Sequence, residues 1–154
     1  FMIKRRKTKN IFYNDIGVGS DFPITVQSMT NTKTDNVQET VKQIKRLKEA
    51  GCEIIRVAVP DKKAALSLSE IKKKIDLPLI ADIHFNHELA LLSIEQRVDG
   101  LRINPGNIGK KDKIMAVVKA AKNNKIPIRI GVNSGSIEKE LLQKYGKPTA
   151  EGMV

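Results

Sequence analysis

Three arginines interrupt short apolar runs: Arg56 in EIIRVAVP (53–60), Arg102 in GLRINP (100–105) and Arg129 in IPIRIGVN (126–133). A buried, unpaired charge costs several kcal/mol, so each guanidinium requires a counter-charge. A fourth run, PLIADIHF (78–85), offers one carboxylate, Asp82, with His84 two residues on. Side chains alternate across a strand. Arg56 and Ala58 therefore oppose Ile55, Val57 and Val59, and Asp82 and His84 oppose Ala81, Ile83 and Phe85. In the same way Arg102 and Asn104 oppose Leu101 and Ile103, while Arg129, Gly131 and Asn133 oppose Ile128, Ile130 and Val132. Four successive strands thus collect Arg56, Arg102, Arg129, Asp82, His84, Asn104 and Asn133 on one face. Asp82 can serve one arginine but not three. The planar fork of arginine suits phosphate oxygens, each charge-assisted bond contributing about 1.5–3 kcal/mol. The missing counter-charge is expected to be a ligand with two phosphate groups, because a monophosphate rarely needs three arginines.

Plainer readings exist for each residue alone. A strand arginine often pairs with a nearby acid, and a lone histidine often serves as a core or orienting imidazole. Asn104 before Pro105 and Asn133 before Ser134 suit turns. Gly106, Gly109, Gly131 and Gly135 suit tight connections, and Cys52 suits a small buried position. The shared face across four strands is what favours a site.

These residues need elements to hold them. Five strand-like runs occur in order, PITVQSM (23–29) and the four above, separated by helical patterns. Asp35 with Gln38 resembles a capping box, ahead of a stripe of Val37, Val41, Ile44 and Leu47, with Gly51 placed to end the helix. Ala64, Leu68, Ile71 and Ile75 form a second stripe. NHELALLSIEQ (86–96) makes a third helix, and Ile114, Val117, Val118 and Ala121 mark a fourth. A last helix is expected from near Ser136, carrying Ile137, Leu141 and Leu142. Strand–helix–strand units at this period build a parallel sheet covered on both faces. The absence of G-x-G-x-x-G after the first strand disfavours a dinucleotide-binding sheet. Polar residues gathered toward the strand ends favour a (β/α) TIM-type barrel, here a partial barrel of about five βα units.

The composition fits a single α/β domain: 154 residues, 40% hydrophobic and 29% charged. No apolar run approaches a membrane span of about 20 residues, and no signal-peptide pattern is present. One cysteine excludes an intrachain disulfide and a thiolate set for a metal cluster within this chain. A reducing, cytoplasmic home follows as the expectation. The formal charge of +11 raises nucleic acid as a partner. However, the lysines of IKKKI (71–75) and NIGKKDKI (107–114) belong on solvated helix faces, and few aromatics accompany them. KRRKTK (4–9) is expected as a hairpin edge or an arm.

Together VQSMTNT (26–32), IIRVAVP (54–60), LIADIHF (79–85), GLRINPGNIG (100–109) and IPIRIGVNSGS (126–136) resemble the 4-hydroxy-3-methylbut-2-enyl diphosphate synthase family. The similarity runs from about Thr8 to Tyr145. The resemblance implies a TIM-type barrel that binds 2-C-methyl-D-erythritol 2,4-cyclodiphosphate, an intermediate of non-mevalonate isoprenoid biosynthesis. It implies a separate C-terminal domain holding a 4Fe-4S cluster on three cysteines and a glutamate. Ferredoxin or flavodoxin donates electrons, the ring opens and water leaves. The resemblance places the substrate-binding residues at Arg56, Arg102, Arg129, Asn104 and Asn133, and possible catalytic roles at Asp82 and His84. It also implies a homodimer in which one subunit's cluster domain caps the other's barrel, with no membrane and no specific nucleic acid as partner.

The family's barrel closes with about eight strands, and the cluster ligands are not in this chain. Residues 2–154 are therefore expected to be the N-terminal substrate-binding portion, inactive alone, with a fifth strand presenting an unpaired edge. Competing readings are a cluster-free phosphate-binding barrel, such as a pteroate synthase-like transferase, and a basic nucleic-acid-binding module.

Overall fold

A computed structural model describes residues 6–133, 135, 137 and 139–153. The chain opens with a hairpin, β1 (Ile11–Tyr13) and β2 (Ile16–Val18), joined through Asn14 at φ +56°. Then β3 (Gln27–Met29), α1 (Val37–Glu49), β4 (Ile54–Ala58), α2 (Lys62–Lys73) and β5 (Leu79–Ile83) follow. Next come α3 (His87–Glu95), β6 (Gly100–Ile103), the short α4 (Pro105–Ile108), α5 (Lys111–Asn123) and β7 (Ile128–Ile130). The helices α6 (Lys139–Tyr145) and α7 (Ala150–Met153) come last. Strands β3 to β7 form one parallel sheet in sequential order. All five strand-like runs of the sequence are strands, in the expected α/β arrangement.

The apolar sides of the strands meet the helices. Ile55, Val57, Leu79, Ala81, Ile83, Leu101 and Ile103 pack with Val41, Ile44, Leu68, Ile71, Ile94 and Val117 in one core. Each fully buried Ile or Leu contributes about 1.5–3 kcal/mol relative to exposure, which fixes the register that turns the arginines to the other face. Caps fix the helix starts. Asp61 Oδ1 accepts from Ala64 N at 2.9 Å and Asn86 Oδ1 from Glu88 N at 2.9 Å. For α1 the cap is Asn36, whose Oδ1 accepts from Glu39 N, rather than Asp35. Asp35 instead pairs with Lys63 Nζ at 2.8 Å, a bond that holds its carboxyl below the ordinary range. Gly51 follows the end of α1 at φ +94°, as its position suggested. Within the described residues no helix is long and apolar enough to cross a membrane.

Several expectations change. Phe85 is 73% exposed instead of facing the helices, because β5 ends at Ile83. Val118 is 39% exposed although Val117 and Ala121 beside it are buried. Ile130, on the edge strand β7, and Val132, two residues past its end, are exposed instead of facing the helices. The helix expected from near Ser136 is α6, which begins at Lys139, so Ile137 precedes it and α7 follows it as the last; Ser136 lies outside the described residues. Of KRRKTK, residues 4 and 5 also lie outside them. Thr8 N donates to Ser20 Oγ, tying this segment to the end of the hairpin.

The sheet curls. Arg129 Nη1 donates to Gln27 Oε1 at 3.2 Å, linking the two edge strands. Strands about 4.8 Å apart would place β3 and β7 about 19 Å apart in a flat sheet. With bonds of about 1.5 Å, an arginine, a glutamine and the bond between them span at most about 15 Å. Only a concave sheet closes that gap.

Candidate functional site

The ladder fixes where each inward side chain sits. In a barrel of about eight strands and shear about eight, a path at constant height climbs roughly one residue per strand relative to ladder partners. From Gln27 that path passes Ile55, Ile80 and Leu101 and reaches Arg129. From Arg56 it passes Ala81 and reaches Arg102. From Met29 it passes Val57, Asp82 and Ile103 and reaches Gly131. Because inward residues of one layer come from alternate strands, three layers stack toward the mouth. Gln27, Ile80 and Arg129 form the deepest, Arg56 and Arg102 the next, and Met29, Asp82 and Gly131 the third.

Contacts follow these layers. Asp82, with only 4% of its side chain exposed, lies above two guanidiniums. Its Oδ2 is 3.3 Å from Arg56 Nε, and its Oδ1 accepts from Arg102 Nη1 at 3.1 Å. His84 Nε2 stands 3.5 Å from the same Oδ1, with half of its side chain exposed at the mouth. Arg56 Nε also points at Met29 Sδ, 3.3 Å away. Gly131 leaves room for this guanidinium: a Cβ built there would lie 2.6 Å from Arg102 Cζ. Asp82 thus serves two arginines, one more than the sequence suggested. Among the described residues no carboxylate pairs with Arg129, which donates to the neutral Gln27 amide.

Below the arginines the hairpin closes the barrel floor. Tyr13 packs with Ile54 and Ile80, flanked by Ile16 and Val18. A Cβ at Gly100 would lie 2.7 Å from Tyr13 Cδ1, so the glycine makes room for the ring. Burial pushes the Tyr13 phenol above its ordinary 10.0, and the Arg129 charge pulls partly against it. The sequence reading missed this hairpin and the roles of Gln27, Gly131 and Gly100. The Asn14-Asp15 pair between two apolar triplets was a usable turn signal.

The two asparagines shape turns at the strand ends. Asn104 Oδ1 accepts from Gly106 N at 3.2 Å and starts α4, and Asn133 Oδ1 accepts from Gly135 N at 3.0 Å. Both make further interactions. Of the seven residues singled out in the sequence, Arg56, Arg102, Asp82 and His84 are brought together, Arg129 lies deeper on its bond to Gln27, and Asn104 and Asn133 stand in the turns that follow β6 and β7. Chemically, the arrangement offers two guanidiniums oriented by one buried carboxylate and a third that no acid balances among the described residues, a setting for a polyanion. It does not fit an iron–sulfur cluster. Among the described residues no three His, Cys, Asp or Glu group to hold a metal, and Cys52 is buried with Sγ donating to Ile54 O.

Comparison with known proteins agrees with this architecture. The family model of the GcpE TIM-barrel domain matches residues 8–154. A 4-hydroxy-3-methylbut-2-en-1-yl diphosphate synthase (flavodoxin) from Thermodesulfovibrio yellowstonii is 61% identical over 99% of this chain and 44% of that protein. The protein of the same name from Geobacillus thermodenitrificans is 58% identical over 99% of this chain and 41% of its own length. The chain thus spans less than half the length of these relatives. Among solved structures, a Yersinia pestis dihydropteroate synthase superposes with a TM-score of 0.61 over 89% of this chain and 52% of that one. Its 12% identity shows a common fold alone. With a family match over nearly its whole length, the chain belongs to the GcpE TIM-barrel family.

Proposed function

We propose that residues 2–154 form the N-terminal, substrate-binding portion of a TIM-type barrel in an isoprenoid-pathway reductase. The substrate is 2-C-methyl-D-erythritol 2,4-cyclodiphosphate and the product is 4-hydroxy-3-methylbut-2-enyl diphosphate. The observation that carries this reading is the charge balance inside the barrel: Arg56 and Arg102 share Asp82, and Arg129 has no acidic partner among the described residues. The names of relatives 55–61% identical point to a diphosphate product and a flavodoxin donor. They do not favour a pteroate synthase-like transferase or a nucleic-acid-binding module.

In this reading Arg102 and Arg56 meet the cyclic diphosphate from positions set by the Asp82 carboxylate, with Arg129 beneath them. Such preorganised charges bind the dianionic group without reorganising when the ring opens. Asn104 and Asn133 hold the strand-end turns in place around the ligand. His84, half exposed at the mouth beside Asp82, is placed to carry a proton toward the departing oxygen, which leaves as water. Asp82 acts by holding the arginines and orienting this imidazole. A 4Fe-4S cluster would be held by residues outside this chain, in a C-terminal domain, and the electron donor is flavodoxin or a ferredoxin. The whole protein is a cytoplasmic homodimer in this proposal.

The test is calorimetric titration of the full-length protein with the cyclic diphosphate and with inorganic diphosphate. Wild type binds both, and R102M weakens both at least tenfold, corresponding to the loss of about one charge-assisted bond. Equal affinity in R102M refutes the proposal.

A further inference from the structure

Arg129 and Gln27 occupy the same layer on strands halfway around a barrel of about eight. Their 3.2 Å hydrogen bond therefore crosses the middle of the barrel. Two facts make this strut more than a packing detail. Arg129 is the ladder partner of Arg102, so two like charges start from adjacent strand positions. The carboxylate that settles Arg102 is also in contact with Arg56: Oδ1 faces Arg102 and His84, and Oδ2 faces Arg56. The acceptor that does reach Arg129 is an amide. An amide oxygen can orient a guanidinium while leaving its full charge, whereas a carboxylate in the same place would orient and neutralise it.

We infer that Gln27 is a positioning residue, which holds the third arginine across the barrel and keeps its charge available to a polyanion. The inference rests on the proposed diphosphate site and deepens it. Gln27 sets the direction of Arg129, away from Arg102, so the cationic groups bracket a ligand with two separated phosphates instead of crowding one. It also explains why the position is polar at all. Its ladder partner Ile54 belongs to the floor cluster with Tyr13 and Ile80, which offers no other side-chain acceptor than the Tyr13 phenol. A methionine in place of Gln27 would keep the length and remove the acceptor, and a glutamate would keep the acceptor and add the charge.

The two substitutions give opposite electrostatic signatures that a purely structural role would not produce. The experiment titrates the full-length protein with inorganic diphosphate at several salt concentrations, for wild type, Q27M, Q27E, R129M and Q27M/R129M. Thermal melts check that each is folded. Q27E is expected to lower diphosphate affinity tenfold or more and to make binding less sensitive to salt, because one cation is paired internally. Q27M is expected to lower affinity about threefold to tenfold with unchanged salt sensitivity. In the R129M background Q27M is expected to have no further effect, since residues acting through one another are not additive. If wild type fails to bind diphosphate, the site reading falls and this inference with it. If R129M weakens binding while Q27M and Q27E bind like wild type, the site reading stands and this inference is overturned. The same holds if Q27M and R129M are additive.

Discussion

Replacing Gly131 with alanine puts a methyl group where the Arg102 guanidinium lies. The new Cβ would sit 2.6 Å from Arg102 Cζ, whereas carbon atoms rest about 3.5–4.0 Å apart. The guanidinium must move by about 1 Å, since Gly131 lies on the barrel wall and the arginine is the flexible partner. Its 3.1 Å bond to Asp82 then lengthens beyond hydrogen-bonding distance. The Asp82 and Arg102 side chains are only 4% and 17% exposed, so solvent screens this pair weakly. Loss of one charge-assisted bond predicts a destabilisation of about 1.5–3 kcal/mol. Against it stands a gain of about 0.4–1 kcal/mol from a less flexible unfolded chain, for Gly131 is not in the left-handed region. The net cost to folding is about 0.5–2.6 kcal/mol. Diphosphate affinity should fall about tenfold to a hundredfold, because the displaced guanidinium no longer meets the ligand. Gly135 provides the control: its nearest atom, Asn133 Oδ1, would be 3.5 Å from an added Cβ, an ordinary contact. Urea denaturation and diphosphate titration of G131A and G135A test the reasoning together. A G131A protein that binds like wild type would show that the Arg102 position does not matter to the ligand.

Two further predictions follow from the same layers. D82N leaves two guanidiniums without their shared carboxylate, and a broken buried pair costs about 3–5 kcal/mol. Saturating diphosphate should recover more stability in D82N than in wild type, as measured by denaturation with and without the ligand; an equal gain would exclude Asp82 as the balancing charge. Tyr13 predicts an alkaline limit. Its phenol is raised above 10.0 by burial, so the unfolded chain loses this proton first, and stability present below about pH 10 is lost as pH rises through the folded value. Limited proteolysis of the hairpin should therefore accelerate above pH 10 in wild type and not in Y13F, and identical profiles would refute the assignment.

The strand and helix order was legible because parallel strands alternate with stripes such as Val37, Val41, Ile44 and Leu47. The shared face of the arginines was legible too, since alternation needs no tertiary information. Depth was not. Whether Asp82 meets Arg56, Arg102 or both depends on ladder register and strand tilt, which no single strand encodes. Gln27 was overlooked for that reason: its partner lies on the strand farthest from it in the sheet. The hairpin escaped notice because its strands are three residues long, too short for a period to show. Asp35 and Asn36 stand side by side and either type can cap a helix, so sequence alone does not separate them, whereas the backbone selects Asn36. Phe85 followed the alternation on paper past the point where the strand itself had ended.

The Tyr13 plug also dictates an order of events during synthesis. It is synthesised well before Gly100, yet the groove that receives it is incomplete until Gly100 has been made and β6 has joined β5. Closing so long a stretch of chain is slow, so the hairpin must wait, with Phe12 and Tyr13 open to solvent or to chaperones. The base of this molecule is thus secured only after the strand that completes its groove has been made.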